Sequence, residues 1–172
     1  MWAQPKDAGL RRQPQAVPGV GYVLSATFIP MNTLKFVLLT VVALFVGSLV
    51  NGAIVSISGA IIPPPAGADF TTEAGLKASA ALMEPKHFIL PWLAHALGTL
   101  VGAFLASWWQ PTRSLRAVLI IGVAFLVGGI MMVQMIPSPW WFIGADLGLA
   151  YLPMALGGRW LAGRIFGGSA RN

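Results

Sequence analysis

Four long apolar runs, Lys35–Ile62, Phe88–Trp109, Ala117–Ile136 and Trp140–Gly158, occupy most of this chain. Each is close to or above the ~20 residues with which a helix crosses the hydrocarbon core of a bilayer. The expected fold class is therefore all-α, a membrane-embedded antiparallel four-helix bundle with a short interfacial helix in its first outer loop. Composition agrees, because only 9% of the residues are charged, against ~25% in ordinary soluble domains. Too few charges are present to cover a water-facing surface. At 172 residues one domain is expected.

The expected organisation is a basic N-terminal arm over 1–31, a four-helix domain over 32–163 and a short basic tail over 164–172. The arm holds Pro5, Pro14, Pro18 and Pro30 with Lys6, Arg11 and Arg12, and has no run long enough to span a membrane. It reads as disordered. Met31 directly precedes the first apolar run and is a second plausible start, which leaves open whether the arm is translated. A cleaved signal peptide has an apolar region of only ~7–15 residues. The first run continues through Ile62 and is expected to be retained. The absence of cysteine excludes disulfides, thiol catalysis and thiolate metal sites. The net charge of +6 is scattered over separate segments and forms no basic stripe, so no nucleic-acid partner is expected.

That scatter reads as topology. The arm with Lys35 carries +3, the loop Pro63–His87 carries −1, the link Gln110–Arg116 carries +2 and the tail from Arg159 carries +3. Basic residues favour the cytoplasmic side. If all four runs span, every basic segment falls on one side, both termini are cytoplasmic and the acidic loop faces out. Trp92, Trp140 and Trp141 then mark outer ends, and Trp108, Trp109 and Trp160 inner ends, as interfacial anchors.

Helices in lipid associate through small residues that let backbones approach. The second run carries Gly98 and Gly102 in a GxxxG pattern, extended by Ala94 and Ala106; the first carries Ser48, Gly52 and Ser56; the fourth carries Ala150, Pro153 and Gly157. These faces are expected to pack within the chain or between chains. Pro153, deep in the fourth run, is expected to bend it. The short links Gln110–Arg116 and Pro137–Pro139 impose tight antiparallel hairpins.

Four polar residues interrupt the runs: Asn51, His95, Gln134 and Asp146. Ionisable groups at such depth are costly and mark candidate functional positions. At ~1.5 Å per residue, His95 and Asp146 lie at similar depth, roughly 10 Å below the outer surface. At ~100° per residue His95 shares a face with Gly98 and Gly102, and Asp146 shares one with Ala150 and Gly157. A His95–Asp146 pair in the outer half, joined by Asn51, is the sharpest expectation. Gln134 has the weakest case for burial. Such a pair either fixes helix register or serves as a proton or ligand site.

The outer loop supplies a second candidate site, Glu84, Lys86 and His87. Pro63, Pro64 and Pro65 stop the first helix, and Thr71–Met83 reads as an interfacial helix with Thr71 as its cap. It serves either as a plain connector or as a cover over the polar cluster. His87 and His95 are too far off a common face to support a metal site with Glu84 and Asp146. No nucleotide-binding, zinc-protease or serine-triad pattern occurs. No metal, cofactor or catalytic residue is expected, and an enzymatic role is not.

The segments Ile61-Ile62-Pro63-Pro64-Pro65-Ala66-Gly67, Glu84-Pro85-Lys86-His87-Phe88 and Leu93-Ala94-His95-Ala96-Leu97-Gly98-Thr99-Leu100 resemble a group of small bacterial four-helix integral membrane proteins of unassigned function. The likeness covers about Met31 to Gly163. It implies a bacterial inner-membrane location and carries nothing about catalysis. A structural or accessory membrane component is expected, with lipids and either a second copy or a larger membrane protein as partners. The alternative is a proton-linked pathway for a small solute or ion, formed by an oligomer through His95 and Asp146.

Overall fold

In the computed structural model, residues 31–167 are described; the basic arm before Met31 and the end of the tail lie outside them. The described residues form α1 (Met31–Ile61), α2 (Glu73–Ala80), α3 (Ile89–Trp109), α4 (Ser114–Met135), α5 (Trp140–Leu149) and α6 (Leu152–Phe166). Single 3-10 turns at Pro85–Phe88 and Pro111–Arg113 lead into α3 and α4. No strand occurs among the described residues. Three segments, Met31–Ile61, Pro85–Trp109 and Pro111–Met135, are long and apolar enough to cross a membrane.

The distribution of side-chain size identifies the solvent. The fully buried positions are dominated by alanine: Ala43, Ala94, Ala103, Ala106, Ala117 and Ala155 are all 0% exposed. Large apolar side chains such as Leu38, Val41, Phe45, Val123 and Val127 point outward. A protein in water places its bulk inside to remove it from solvent. In hydrocarbon that drive vanishes, and helices gain by bringing small faces together.

The helix α3 is the hub, packing against α1, α6 and α4. Its seam with α1 is built on backbone. A Cβ added at Gly98 would lie 2.8 Å from the Gly47 carbonyl oxygen, and one at Gly102 would lie 3.0 Å from the Ala43 carbonyl oxygen. The α1 half of the seam is thus Ala43, Gly47 and Asn51. The expected stripe of Ser48, Gly52 and Ser56 sits one residue further round, off the seam with α3. Gly52 has nothing within 4 Å, and both serines return their hydroxyls to their own helix, Ser48 to Leu44 O and Ser56 to Gly52 O. This back-bonding satisfies a hydroxyl without a neighbouring helix, so small polar residues at regular spacing did not mark the interface. The Gly98 and Gly102 half of the pattern lies where expected.

At the far end of α3 from α2, buried Gln110 donates to Thr40 Oγ1 at 3.2 Å, and Thr40 in turn donates to Phe36 O at 2.8 Å. There the Arg113 guanidinium lies 5.6 Å over the Phe36 ring.

The fourth run departs from the expected single helix, and Pro153 does more than bend it. The run is two helices, α5 and α6, each shorter than the ~20 residues of a full span. Pro153 has no N–H to offer Leu149 O, so α5 ends there. Tyr151 adopts φ −113° and ψ −83° before α6 resumes. Helix α6 extends past the expected end at Gly158 to Phe166. Ala150 is buried as expected, packed with Ala96 of α3, but the contact face of α6 is Ala155, Gly158 and Ala162, not Pro153 and Gly157; Gly158 packs against the α3 backbone at Leu100 and Phe104, while Gly157 has nothing within 4 Å. Breaking the helix rotates the residues after it, so periodicity carried across Tyr151 misplaced that face.

Replacing Gly98 by Leu forces α1 off α3 and should lower stability by ~2 kcal/mol or more, as overpacking does, read by steric trapping or detergent titration. Gly52→Leu, into open space, should change it by less than about 0.5 kcal/mol.

Candidate functional site

One buried polar cluster lies within the apolar helices. The turn at Ala150–Tyr151 swings Tyr151 back toward Asp146, five positions earlier, while the small face of α3 leaves room for His95 beside them. His95 Nδ1 lies 2.8 Å from Asp146 Oδ1. The Tyr151 hydroxyl donates to Asp146 Oδ2 at 2.8 Å and lies 3.0 Å from His95 Nδ1. Each carboxylate oxygen therefore has its own donor. This orients the imidazole with Nδ1–H toward the carboxylate and Nε2 away from it, the arrangement by which a carboxylate selects a histidine tautomer. Asp146 is 2% exposed and the His95 side chain 18%. Nε2 has no hydrogen-bond partner among the described residues.

Neighbours hold the cluster in place. The imidazole and phenol rings stack at 5.7 Å. Gly129 of α4 supplies the space for the phenol, since a Cβ there would strike the Tyr151 ring. Trp92 Nε1 donates to Ala145 O at 3.2 Å, tying α3 to α5 beside Asp146. Phe88 packs on Phe142 with centroids 4.7 Å apart. Thr99 returns its hydroxyl to His95 O at 2.8 Å, which satisfies it inside α3.

The cluster forms the floor of two adjoining cavities. The larger, about 480 Å³, is lined almost wholly by apolar side chains, from Val55 of α1 and Ile62 just after it to Met132 of α4 and Ile136 just after it, with Leu76, Ala80 and Met83 of the α2 segment above. His95 and Asp146 are its polar end. The second, about 460 Å³, lies between α1 and α4 and is lined by Ser48, Asn51, Gly128, Met131, Met135 and Tyr151, among others. Both include His95, Gly129 and Met132 in their walls, so they adjoin around these residues. Their size and lining fall in the range of small-molecule sites, which run ~300–1,000 Å³ and are mostly apolar with a few convergent polar groups.

The expected pair is present, and His95 of α3 and Asp146 of α5 are 51 positions apart in sequence. Asn51 does not join it by a hydrogen bond; its Cβ packs at Gly98 in the α1–α3 seam and its side chain lines the second cavity near His95. Gln134 is exposed on the outside of α4 and takes no part. Tyr151 was not anticipated. The available signal was a phenol in an apolar run two residues before a proline, and using it required knowing that Pro153 would break the helix.

The outer-loop candidates resolve into a scaffold. His87 is buried, accepts the Glu84 N–H on Nδ1 at 2.9 Å and donates from Nε2 to Pro63 O at 3.2 Å. Both ring nitrogens are thereby committed. Lys86 and Glu84 form an exposed ion pair at 3.0 Å, which lowers the Glu84 carboxyl below its usual range through the Lys86 hydrogen bond and charge. The cap of α2 is Thr72, not Thr71: its hydroxyl accepts from Gly75 N at 2.9 Å. Asp69 organises the turn before it, accepting from Thr71 N at 2.8 Å and from both threonine hydroxyls. The Thr71 side-chain bond is the main cause that holds the Asp69 carboxyl below its ordinary value. Ser79 closes the loop, accepting from Asp69 N at 2.8 Å and donating to Asp69 O at 3.2 Å. Among the described residues no group of three or more histidine, aspartate or glutamate side chains is placed to hold a metal ion.

Tyr151→Phe keeps the ring and removes one donor to Asp146, and should cost ~1 kcal/mol, in line with hydrogen bonds inside membranes; the same unfolding assay reads it. The Asp69 turn should respond to acid. A carboxyl whose folded pKa is depressed stabilises above its unfolded value and loses that contribution as pH falls through the folded one. Amide-exchange protection of Gly75 should therefore hold from pH 7 to about pH 4 and fall below it, and in Asp69→Asn it should be low throughout.

No protein-family model, curated protein or solved structure matches this chain.

Proposed function

We propose that this chain is a multi-pass protein of a bacterial cytoplasmic membrane, with both termini cytoplasmic, that works as an accessory component by holding a small apolar molecule in the outer half of a four-helix bundle. In this reading α5 and α6 together make the fourth crossing. The arrangement of charge supports the orientation. Arg113 reaches Asn32 O at 3.4 Å, and Arg159 donates to Ser114 Oγ at 3.2 Å. The start of α1, the α3–α4 turn and the α6 segment around Arg159 thus gather basic residues at one end, away from α2. Arg164 lies 5.2 Å over the Trp160 ring at that end, as interfacial residues do.

The observation that carries the binding role is an apolar cavity ending on a hydrogen-bonded His95–Asp146–Tyr151 cluster with one imidazole nitrogen left unpaired. Buried polar groups in hydrocarbon are expensive, and a register pin would not need a cavity of about 480 Å³ beside it. Outward-facing Leu, Val and Phe side chains contact lipid and offer surfaces to a second copy or a larger membrane protein.

A second reading, a proton-linked pathway formed between chains, draws on the same imidazole, which faces both cavities. The two are separable. Purified protein in liposomes should show saturable photolabelling of α4 residues 131–135 by a diazirine-bearing long-chain alcohol, and no flux driven by a pH gradient. A pH-driven flux that disappears in Asp146→Asn with assembly intact would replace binding by transport. For topology, alkaline phosphatase fused after Ala66 should be active and fused after Asn172 inactive, with the chain resisting alkaline extraction.

A further inference from the structure

We propose that the cavity is loaded sideways from the lipid, through the gap between α1 and α4, by a single-chain amphiphile whose hydroxyl head donates a hydrogen bond to His95 Nε2. This rests on the reading of the cavity as a binding site and adds its route of entry and the chemistry of its occupant.

The end of the cavity toward α2 is covered by a braced segment. Leu76 and Met83 lie over it, and the segment that carries them is fastened by the paired Asp69–Ser79 bonds. His87 fastens the start of α3 to the proline segment after α1 through Pro63 O. Entry from water would have to break several of these bonds together.

The side between α1 and α4 is built differently. Helix α1 packs closely on α3 and only slightly on α4. Beside the larger Leu44 and Phe125, the gap is lined by small or flexible residues: Ser48 on α1, and Ala124, Gly128, Met131 and Met135 on α4. Gly128 has nothing within 4 Å of a Cβ, and Ser48 keeps its hydroxyl on its own helix. Methionine side chains adapt to irregular shapes at little cost. The gap therefore leads from the lipid-facing surface to His95 without a hydrogen bond across it.

The head group follows from what the cluster leaves unsatisfied. Nδ1–H is committed to Asp146 and the phenol O–H is committed to the same carboxylate, so the cluster offers acceptors, Nε2 the one with no partner among the described residues, and no donor of its own; the donor in the adjoining wall is the Asn51 amide. A hydroxyl matches Nε2. A carboxylate head would set acceptor oxygens against the Asp146 oxygens, and a phosphodiester head would bring more acceptors than the single Asn51 amide in the wall can satisfy. Cavities of about 480 and 460 Å³ suit one chain, within the range of ordinary small-ligand sites.

The test uses the full chain in phosphatidylcholine nanodiscs with three photoreactive probes of equal tail: a long-chain alcohol, its methyl ether and the corresponding fatty acid. The alcohol should label residues 131–135 saturably and about three- to tenfold more tightly than the ether, the worth of one hydrogen bond, with the acid weakest at neutral pH. His95→Phe should erase the alcohol's advantage while labelling persists. Gly128→Phe should slow alcohol labelling several-fold, and Ser48→Leu should repeat that result from the opposite wall. Ser79→Ala, which loosens the α2 end, should leave the rate unchanged. Equal labelling by alcohol and ether in the unaltered chain would overturn the head-group assignment. A rate indifferent to both gap variants but raised by Ser79→Ala would overturn lateral entry. Absence of saturable labelling by every probe would instead overturn the binding role beneath both.

Discussion

The approach of two backbones at Gly47, Gly98 and Gly102 governs the rest of the structure. With no side chain between them, α1 and α3 meet carbonyl to α-carbon. Helices in lipid gain little from burying large side chains, so contact area must come from proximity. On α1 that proximity is available along one seam only. Pressed onto α3, α1 has little contact left for α4, and the space between those two helices becomes the second cavity. Tight packing on one side and open space on the other are two outcomes of the same placement of glycines.

Against this background the polar cluster is economical. A buried aspartate in hydrocarbon needs a donor for each oxygen, because an unmet charge at that depth is costly. Asp146 has two, an imidazole N–H from α3 and a phenol O–H from the turn between α5 and α6. The turn exists because Pro153 cannot donate to Leu149 O. A helix break that would be a defect elsewhere brings the second donor back over the first helix. Nε2 of His95 is then the nitrogen of the cluster left without a partner among the described residues, and the imidazole lines both cavities.

The loop before α3 shows the opposite use of similar residues. His87, close to His95 in sequence, has both nitrogens occupied by main-chain groups. Asp69 and Ser79 likewise spend their polar atoms on the loop itself. These residues hold the α2 segment over the cavity. A histidine is a candidate for chemistry only when its partners leave a nitrogen over, and that count is made in three dimensions.

What could be read from the chain alone were properties set by composition and local pattern. Membrane character, the positions of three long helices, the α3 half of the α1–α3 seam and the meeting of His95 with Asp146 all follow from run length, glycine spacing and matched depth. Rotation about a helix was legible only in part. The α1 face was taken from Ser48, Gly52 and Ser56, yet serine satisfies itself on its own backbone and marks no neighbour. The α6 face was carried across Tyr151 as though the helix were continuous. Tyr151, the cavities and the fate of His87 were settled by tertiary structure, because each depends on which groups from distant segments use up one another's hydrogen bonds and on the volume their packing leaves empty.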